Sequence, residues 1–166
     1  MAKDKFFIMI ERILTLINRI RIKLYLLFHP YLWNHEIQLN GVPEILYPEK
    51  LSLGKHVSLN EDCSINCVGK VVIGDRVTIS RGATLLTSGL ATENYDVIVK
   101  EKYRKHVSAP IIIHEGVWIC ANVIITPGVT IAPNCIIGAG SVVTKSLDKP
   151  SSLYAGVPAR YVKSLS

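Results

Sequence analysis

The chain has 166 residues, enough for one domain with a buried core and too few for two independent ones. Hydrophobic residues make up 49% of it and aromatic residues 7%, which predicts a core of Val, Ile and Leu in thin layers of strands. The net charge of +6 favours an anionic partner, such as a phosphate group or an anionic lipid surface. The sequence has no basic patch interleaved with aromatic residues, so we expect no nucleic-acid partner.

The four cysteines show no CxxC spacing, and no part of the sequence reads as a secretory signal. We therefore expect a reducing, cytoplasmic setting, with peripheral attachment to the inner face of a membrane as a further option. Two cysteines, Cys63 and Cys135, fall at small-residue positions of the repeat described below, so we expect them to be buried filler rather than ligands or nucleophiles.

The first 35 residues are predicted to form a helical segment. No Gly or Pro occurs from Asp4 to Phe28, and Pro30 ends any helix near Phe28. The basic residues interrupt every apolar window of bilayer-spanning length, so the helix should not cross a membrane. It is expected either to lie on an anionic membrane surface or to pack against the rest of the domain and its oligomeric neighbours. The residues that form its basic stripe are Lys5, Arg12, Arg19 and Lys23.

An aliphatic residue then recurs every six positions, a period that fits neither a helix nor simple strand alternation. Four positions after most of these residues comes a small or β-branched one. Hexapeptide periodicity is typical of a β-helix in which one hexapeptide forms each side of a triangular coil, and we expect such a domain over residues 45–163. The aliphatic series is Leu53, Leu59, Ile65, Ile73, Ile79, Leu85, Ile113, Ile119, Ile125, Ile131, Ile137 and Val143.

The residue after each aliphatic one should stand at a corner, where a small side chain or a positive φ is required. Gly54, Gly74, Gly138, Asn60 and Asn66 occupy this slot. Asn tolerates positive φ better than most other residues, so all five fit the requirement.

Two steps break the period. The first, from Ile65 to Ile73, is eight residues long and predicts a small bulge around residues 68–70. The second, from Leu85 to Ile113, requires an excursion, which we read as a loop over residues 87–109. Long loops on rigid scaffolds are often functional.

The carboxy-terminal blocks GVWI, PGVTI, GAGSVVTK and AGVPAR occur in the order found in hexapeptide-repeat acyltransferases. Over roughly residues 51–163 the chain resembles their O-acetyltransferase branch, which includes maltose and galactoside acetyltransferases and enzymes of capsular polysaccharide synthesis. The resemblance implies an all-β fold, a left-handed parallel β-helix, in a homotrimer with active sites between neighbours. It also implies transfer of acetyl from acetyl-CoA to a saccharide hydroxyl, possibly on a lipid-linked intermediate, with no metal.

The resemblance also assigns cofactor-binding residues. The backbone at Ala121 and Ala139 would meet the thioester and the pantetheine arm of acetyl-CoA. Thr144 and Lys145 would lie along that arm, and the guanidinium of Arg160 would bind the CoA phosphates as a paired, charged donor.

A catalytic base is needed because a sugar hydroxyl is a weak nucleophile, and histidine has a suitable pKa. In the maltose-type enzymes the catalytic histidine follows a Thr-Gly pair, but here the corresponding position holds Leu90. We expect His106, at the far end of the loop, to be the base, with His114 and His56 as alternatives. Asn60 matches a family asparagine close to the thioester, or is a plain turn residue with positive φ.

Three acids of the loop, Glu93, Asp96 and Glu101, are candidates to orient the base, and the sequence does not choose among them. Two other functions stay open: N-acylation of an amino sugar, and a non-catalytic β-helix used for assembly. A zinc-binding β-helix that resembles the γ-type carbonic anhydrases is disfavoured. Those proteins have two zinc-binding histidines five residues apart, whereas His106 and His114 are eight residues apart.

Overall fold

The computed structural model describes residues 2–93 and 104–165, without the side chains of residues 2–6, 34 and 35. Helix α1 spans Ala2–Phe28, and a 3-10 helix follows at Pro30–His35. The helix ends where predicted, since Pro30 has no N–H to continue the hydrogen-bond ladder. Within the described residues, no helix combines the length and the apolar character that crossing a bilayer requires.

The rest of the chain is a left-handed parallel β-helix of about five coils. Each complete coil places one strand on each of three sheets, which we call faces A, B and C in chain order. The edges where A meets B and B meets C are called the AB edge and the BC edge. Coil 1 contains β1 (Gln38–Leu39), β2 (Glu44–Leu46) and β3 (Leu51–Leu53), so the β-helix begins ahead of position 45. A short 3-10 helix, Pro48–Lys50, precedes β3.

The following coils repeat this order. Coil 2 is β4 (Ser58–Leu59), β5 (Ser64–Asn66) and β6 (Val71–Ile73). Coil 3 is β7 (Thr78–Ile79), β8 (Thr84–Leu86), the hairpin β9 (Ser88–Leu90) and β10 (His106–Ser108), and β11 (Ile111–Ile113). Coil 4 is β12 (Trp118–Ile119), β13 (Ile124–Ile125) and β14 (Thr130–Ile131). Coil 5 contains β15 (Ile136–Ile137) and β16 (Val142–Val143), and it is followed by β17 (Ser152–Ala155) and the antiparallel β18 (Arg160–Ser164).

The predicted aliphatic series forms the core. From Leu59 to Val143 every member is buried, and Leu53 is half-buried in the first coil. Parallel pairing stacks equivalent residues above one another; on face B, for example, Ile125 pairs with Leu85 on one side and Val143 on the other. The small positions, including Cys63 and Cys135, are buried as well, which confirms the filler prediction. Burial of each aliphatic side chain stabilises the folded state by about 1.5–3 kcal/mol.

The corner geometry differs from the prediction. None of the five slot residues has a positive φ; the left-handed residue is the third after the aliphatic one, as at Asp62 (φ 58°) after Leu59. What the slot requires is space between coils. A Cβ at Gly54 would lie 2.6 Å from the Asp75 backbone nitrogen. Glycine occurs there because the neighbouring backbone approaches closely.

Both breaks in the period lie at the BC edge. Residues 68–70 form the extra turn predicted after β5, and Lys70 has a positive φ. The ends of the 87–109 excursion are an antiparallel ladder between β9 and β10 rather than an irregular loop. Asp96 and Glu101 lie outside the described residues, and Glu93 is exposed.

Candidate active site

Thr87 anchors the hairpin to the β-helix. Its side chain is fully buried, its hydroxyl donates to the Asn66 carbonyl (2.6 Å), and it accepts from the Gly69 N–H (2.8 Å). Its own carbonyl accepts from the Ala109 N–H (3.0 Å) at the other end of the excursion. Both ends of the hairpin are thus tied to the BC edge of coil 2.

The hairpin register places His106 directly opposite Leu90. Side chains at paired positions of an antiparallel ladder lie on one face, with Cβ atoms about 4.5–5.5 Å apart. Leu90 is the position at which the resemblance to the maltose-type enzymes led us to expect a histidine. His106 is exposed, so its imidazole is open to a substrate. The His106 imidazole therefore lies beside Leu90, the position where the expected histidine is missing.

A cavity of about 420 Å³ opens beside His106. Its lining includes Tyr47 from coil 1, Asn66 from coil 2 and Ser88 from the hairpin. A second cavity next to it, of about 610 Å³, has Glu49, Lys50 and Lys70 in its lining. Hydroxyl, amide and imidazole groups around one opening suit a polyhydroxylated ligand.

Tyr47 and Lys50 were missed by the sequence reasoning. The available signal was the spacing from Ile45 to Leu53, which is eight residues, like the step from Ile65 to Ile73 in the next coil. These two long turns lie in neighbouring coils at the BC edge, and the strands on either side of them pair in register. The floor of the cavity is made from the residues that they add.

The other candidate histidines lie elsewhere. His114 follows β11 at the edge between faces C and A, where it is exposed. His56 is at the same edge in coil 1, and its Nδ1 is 3.1 Å from the Glu36 carboxylate, with both side chains exposed. Neither lines the cavity beside His106.

Asn60 stands at the AB edge of coil 2, at the opposite end of face B. Its Nδ2 donates to the Ile79 carbonyl (2.9 Å), and its Oδ1 accepts from the Asn40 amide (3.1 Å). The side chain thus links three consecutive coils and uses one of its two N–H donors in doing so. Asn60 does not have a positive φ, so the prediction that it is a turn residue with positive φ is wrong.

Ala121 and Ala139 lie at this same AB edge, in the fourth and fifth coils. The Gly140 N–H donates to the Ala121 carbonyl (2.9 Å), which stacks the two corners. Ala121 is half-buried and Ala139 is exposed. Below them the edge is charged, since Arg81 is paired with Asp62 at 3.0 Å.

Thr144 and Lys145 lie at the BC edge, directly after β16, and both are exposed. Arg160 is exposed at the start of β18, where its Nη1 donates to the Ala159 carbonyl (3.1 Å). The turn before it folds over β16: the Ala159 N–H donates to the Val142 carbonyl (2.8 Å). The guanidinium is therefore positioned at the end of the β-helix.

Apart from Arg160, the predicted site residues thus divide between two edges. Six residues separate Asn60 from Asn66, which marks the BC edge of the same coil. At 3.2–3.4 Å per residue, the edges are up to roughly 20 Å apart. A catalytic base must lie within about 3 Å of the proton that it removes. Within one protomer, Asn60 and His106 therefore lie at opposite edges of face B.

The cysteines are unsuited to nucleophilic catalysis. Burial raises the pKa of the Cys63 thiol to about 12 and that of Cys67 to about 11, and it also raises the pKa of Cys120, beside Ala121. The reactive form of cysteine is the thiolate, which a raised pKa disfavours. In residues 2–93 and 104–165, no three His, Cys, Asp or Glu side chains converge to hold a metal ion.

The chain is similar to a known protein family and to several known proteins. Residues 110–145 match the family model of the bacterial transferase hexapeptide (six repeats). Galactoside O-acetyltransferase of Escherichia coli (strain K12) is 37% identical over 123 residues, which cover 72% of this chain and 57% of that protein. The chain thus spans little more than half the length of this relative.

Two solved structures are similar over most of the chain. A maltose O-acetyltransferase from Clostridium difficile 630 superposes with a TM-score of 0.71 and 32% identity, covering 78% of this chain and 67% of that one. A hexapeptide-repeat acetyltransferase from Vibrio cholerae O1 biovar eltor, in complex with acetyl-CoA, gives a TM-score of 0.70 and 27% identity, covering 80% and 69%.

Proposed function

Since the chain belongs to the hexapeptide-repeat acetyltransferases, we propose that it transfers an acetyl group from acetyl-CoA to a sugar hydroxyl. The galactoside and maltose O-acetyltransferases, which are 37% and 32% identical to this chain, both acetylate sugars on oxygen, which favours a hydroxyl over an amine as acceptor. The observation that carries the proposal is the register of the hairpin, which sets His106 opposite Leu90. A base is thereby available at the site where the family's histidine is absent.

In the proposed reaction, the sugar hydroxyl oxygen forms a bond to the thioester carbonyl carbon while His106 accepts the hydroxyl proton. The carbonyl oxygen becomes an oxyanion, which a backbone N–H at the AB edge, such as that of Ala121, stabilises. The C–S bond then breaks, and the imidazolium returns the proton to the leaving thiolate. No acyl-enzyme is formed, in keeping with the raised pKa of the nearby Cys120 thiol.

The proposed acetyl-CoA site uses the small corners and the basic residues near the end of the β-helix. Ala121 and Ala139 leave room for the pantetheine arm, Thr144 and Lys145 border it, and Arg160 is available for the phosphates. A guanidinium and an ammonium supply charged donors, which phosphate oxygens accept strongly.

We propose a homotrimer because the catalytic groups lie on opposite edges of one face. An active site shared between neighbours brings the AB edge of one protomer, with Asn60 and Ala121, to the BC edge of another, with His106. Closed cyclic symmetry then produces three equivalent sites.

The proposed acceptor is a saccharide, and in its finer form a lipid-linked polysaccharide intermediate at the cytoplasmic side of a membrane. The cavity beside His106 supports a saccharide, since Tyr47, Asn66 and Ser88 supply hydrogen-bonding groups around it. The exposed apolar helix α1 supports the lipid-linked form.

The test is steady-state acetyl transfer from acetyl-CoA to a panel of sugars, followed by thiol release. We expect His106→Ala to lower kcat/KM by about a hundredfold or more. His114→Ala is the matched control, since it removes an exposed histidine from coil 3 but leaves the cavity unchanged, and we expect it to retain full activity. An active wild type with an unimpaired His106→Ala variant would show that the base is another group. Mass spectrometry of the product distinguishes O- from N-acetylation.

A further inference from the structure

Helix α1 has two opposite sides with different surroundings. Asn18, Ile22 and Tyr25, at steps of four and three, are half-buried and therefore face the protein. Arg21 reinforces this contact, since its guanidinium is 3.7 Å from the Glu61 carboxylate at the AB edge. The second half of the helix is thus seated on the β-helix by one side, whereas residues 11–17 are exposed all round.

The opposite side is apolar and exposed. Its residues succeed one another at steps of three, four or seven, so they form one stripe along the helix. Such a continuous stripe exceeds the scattered single apolar side chains that soluble proteins normally expose, and it therefore indicates an interaction surface. The stripe consists of Met9, Ile13, Ile20, Leu24 and Leu27, which are 48–60% exposed.

Basic residues border this apolar stripe. Arg12, Arg19 and Lys23 are exposed and, at steps of seven and four, lie together on one flank of it. The side chain of Lys5, the fourth member of the predicted basic stripe, lies outside the described residues. Over the whole of Ala2–Phe28 the sequence has six basic residues and two acidic ones.

Two aromatic residues extend the apolar surface at the end of the helix. Phe28 is 76% exposed and Trp33 is 59% exposed. The Trp33 indole N–H donates to the Leu26 carbonyl (2.7 Å), which holds the ring against the end of the helix. Tryptophan suits the boundary between water and lipid, where its apolar ring and polar N–H meet different surroundings.

We propose that α1 docks on an anionic lipid bilayer, with its axis in the plane of the surface and the apolar stripe inserted. A helix with this pattern buries its apolar face about 5–10 Å into the headgroup region, while Lys and Arg contact anionic headgroups. Each basic residue near such a surface adds attraction that salt weakens.

Charge argues against a second copy of the chain as the occupant. In helix bundles, the residues that flank the apolar seam often form salt bridges with opposite charges on the partner helix. Here the flank residues Arg12, Arg19 and Lys23 would meet their own equivalents or one another. The anionic bilayer supplies the complementary charge that the same flank of a second α1 lacks.

The test is cosedimentation of the full chain with vesicles of phosphatidylcholine, alone or mixed with phosphatidylglycerol. We expect binding to the mixed vesicles to exceed binding to phosphatidylcholine by at least about tenfold and to fall as salt is added. The triple variant Arg12→Gln, Arg19→Gln, Lys23→Gln should lose at least about tenfold in binding. The matched control, Lys55→Gln, Arg76→Gln, Lys163→Gln, removes the same charge from exposed positions elsewhere and should bind like wild type.

A second triple variant, Ile13→Ser, Leu24→Ser, Leu27→Ser, tests the apolar stripe and should lose binding to both kinds of vesicle. Two results overturn the proposal: equal losses in the charge variant and its control, or unchanged binding of the apolar variant. A fall in molar mass of the lipid-free apolar variant, with vesicle binding unchanged, would identify a second copy as the occupant. The inference is independent of the proposed reaction, because thiol release with soluble sugars is expected to be unchanged in all three variants.

Discussion

The AB and BC edges of the β-helix border the same face, face B, but their turns differ. At the AB edge, coils 2 to 5 use the same short turn, with a left-handed residue in the third position: Asp62, Gly82, Asn122 and Gly140. At the BC edge the connection varies: coils 1 and 2 have lengthened turns, coil 3 has the hairpin, and coil 4 has a short turn with Gly128. A repeat can therefore keep its scaffold at one edge and vary its chemistry at the other.

The largest expected effect is on the interior that supports both edges. Ile125 is fully buried, and Ile125→Ala should lower the free energy of unfolding by about 2–5 kcal/mol because it leaves a cavity in the stacked core. Ile124→Ala, one residue away on the outer surface, should cost less than about 1 kcal/mol. Urea denaturation measures both, and similar losses would mean that the solvent face of this strand is covered.

The second effect concerns the BC edge alone. In the inactive His106→Ala background, Leu90→His restores an imidazole on the paired strand at nearly the same place. We expect recovery of at least about tenfold in kcat/KM from the hundredfold loss, since paired side chains share one face. Leu86→His, a half-buried face B residue outside the hairpin, is the control and should not recover activity. Equal behaviour of the two double variants would remove the basis for the assignment of His106.

A smaller effect distinguishes the anchors of the two edges. Thr87→Val keeps the shape of the buried side chain but leaves the Asn66 carbonyl and the Gly69 N–H without the hydroxyl, at a cost of about 1–3 kcal/mol. Asn60→Ala removes hydrogen bonds at the more open AB edge and should cost about 1 kcal/mol. Thermal unfolding followed by circular dichroism compares them, and a larger loss for Asn60→Ala would reverse the contrast.

The smallest expected effect is a pH dependence of the free energy of unfolding, which arises in the core beneath both edges. The pKa of the Cys63 thiol is raised to about 12 in the folded protein, from 9.0. The unfolded chain ionises first, so the stabilisation is complete below pH 9 and is lost as the pH rises towards 12. We expect a loss of about 1 kcal/mol by pH 10 from this group. Urea midpoints from pH 7 to pH 10 should fall less steeply in Cys63→Ala, and an identical slope would contradict the expectation.

Much of the scaffold was predictable because a period of six has one physical solution. Ile79, Ile119 and Ile137 must stack if each hexapeptide forms one side of a coil, and they do. The helix boundary at Phe28 was predictable as well, since Pro30 cannot continue the hydrogen-bond ladder. The corner rule was only half correct, because sequence spacing did not distinguish a close approach between coils, as at Gly54, from a left-handed backbone, as at His56.

The candidate site was less predictable because its residues are far apart in sequence. The sequence singled out His106, Asn60 and the residues for acetyl-CoA, but it did not separate them into two edges. Tyr47 and Lys50 were overlooked because they precede the regular part of the repeat. Their importance depends on the hairpin of coil 3, which packs above them only in the folded chain.

The amino-acid sequence by itself determined the β-helix, its inward rows and the basic amphipathic helix, because each follows from local periodicity and side-chain chemistry. The tertiary structure alone decided that His106 pairs with Leu90, that the BC edge opens into a cavity, and which side of α1 remains exposed. These features depend on strand register and on contacts between residues that are distant along the chain. Register and packing are set by the whole coil stack, and no local pattern encodes them.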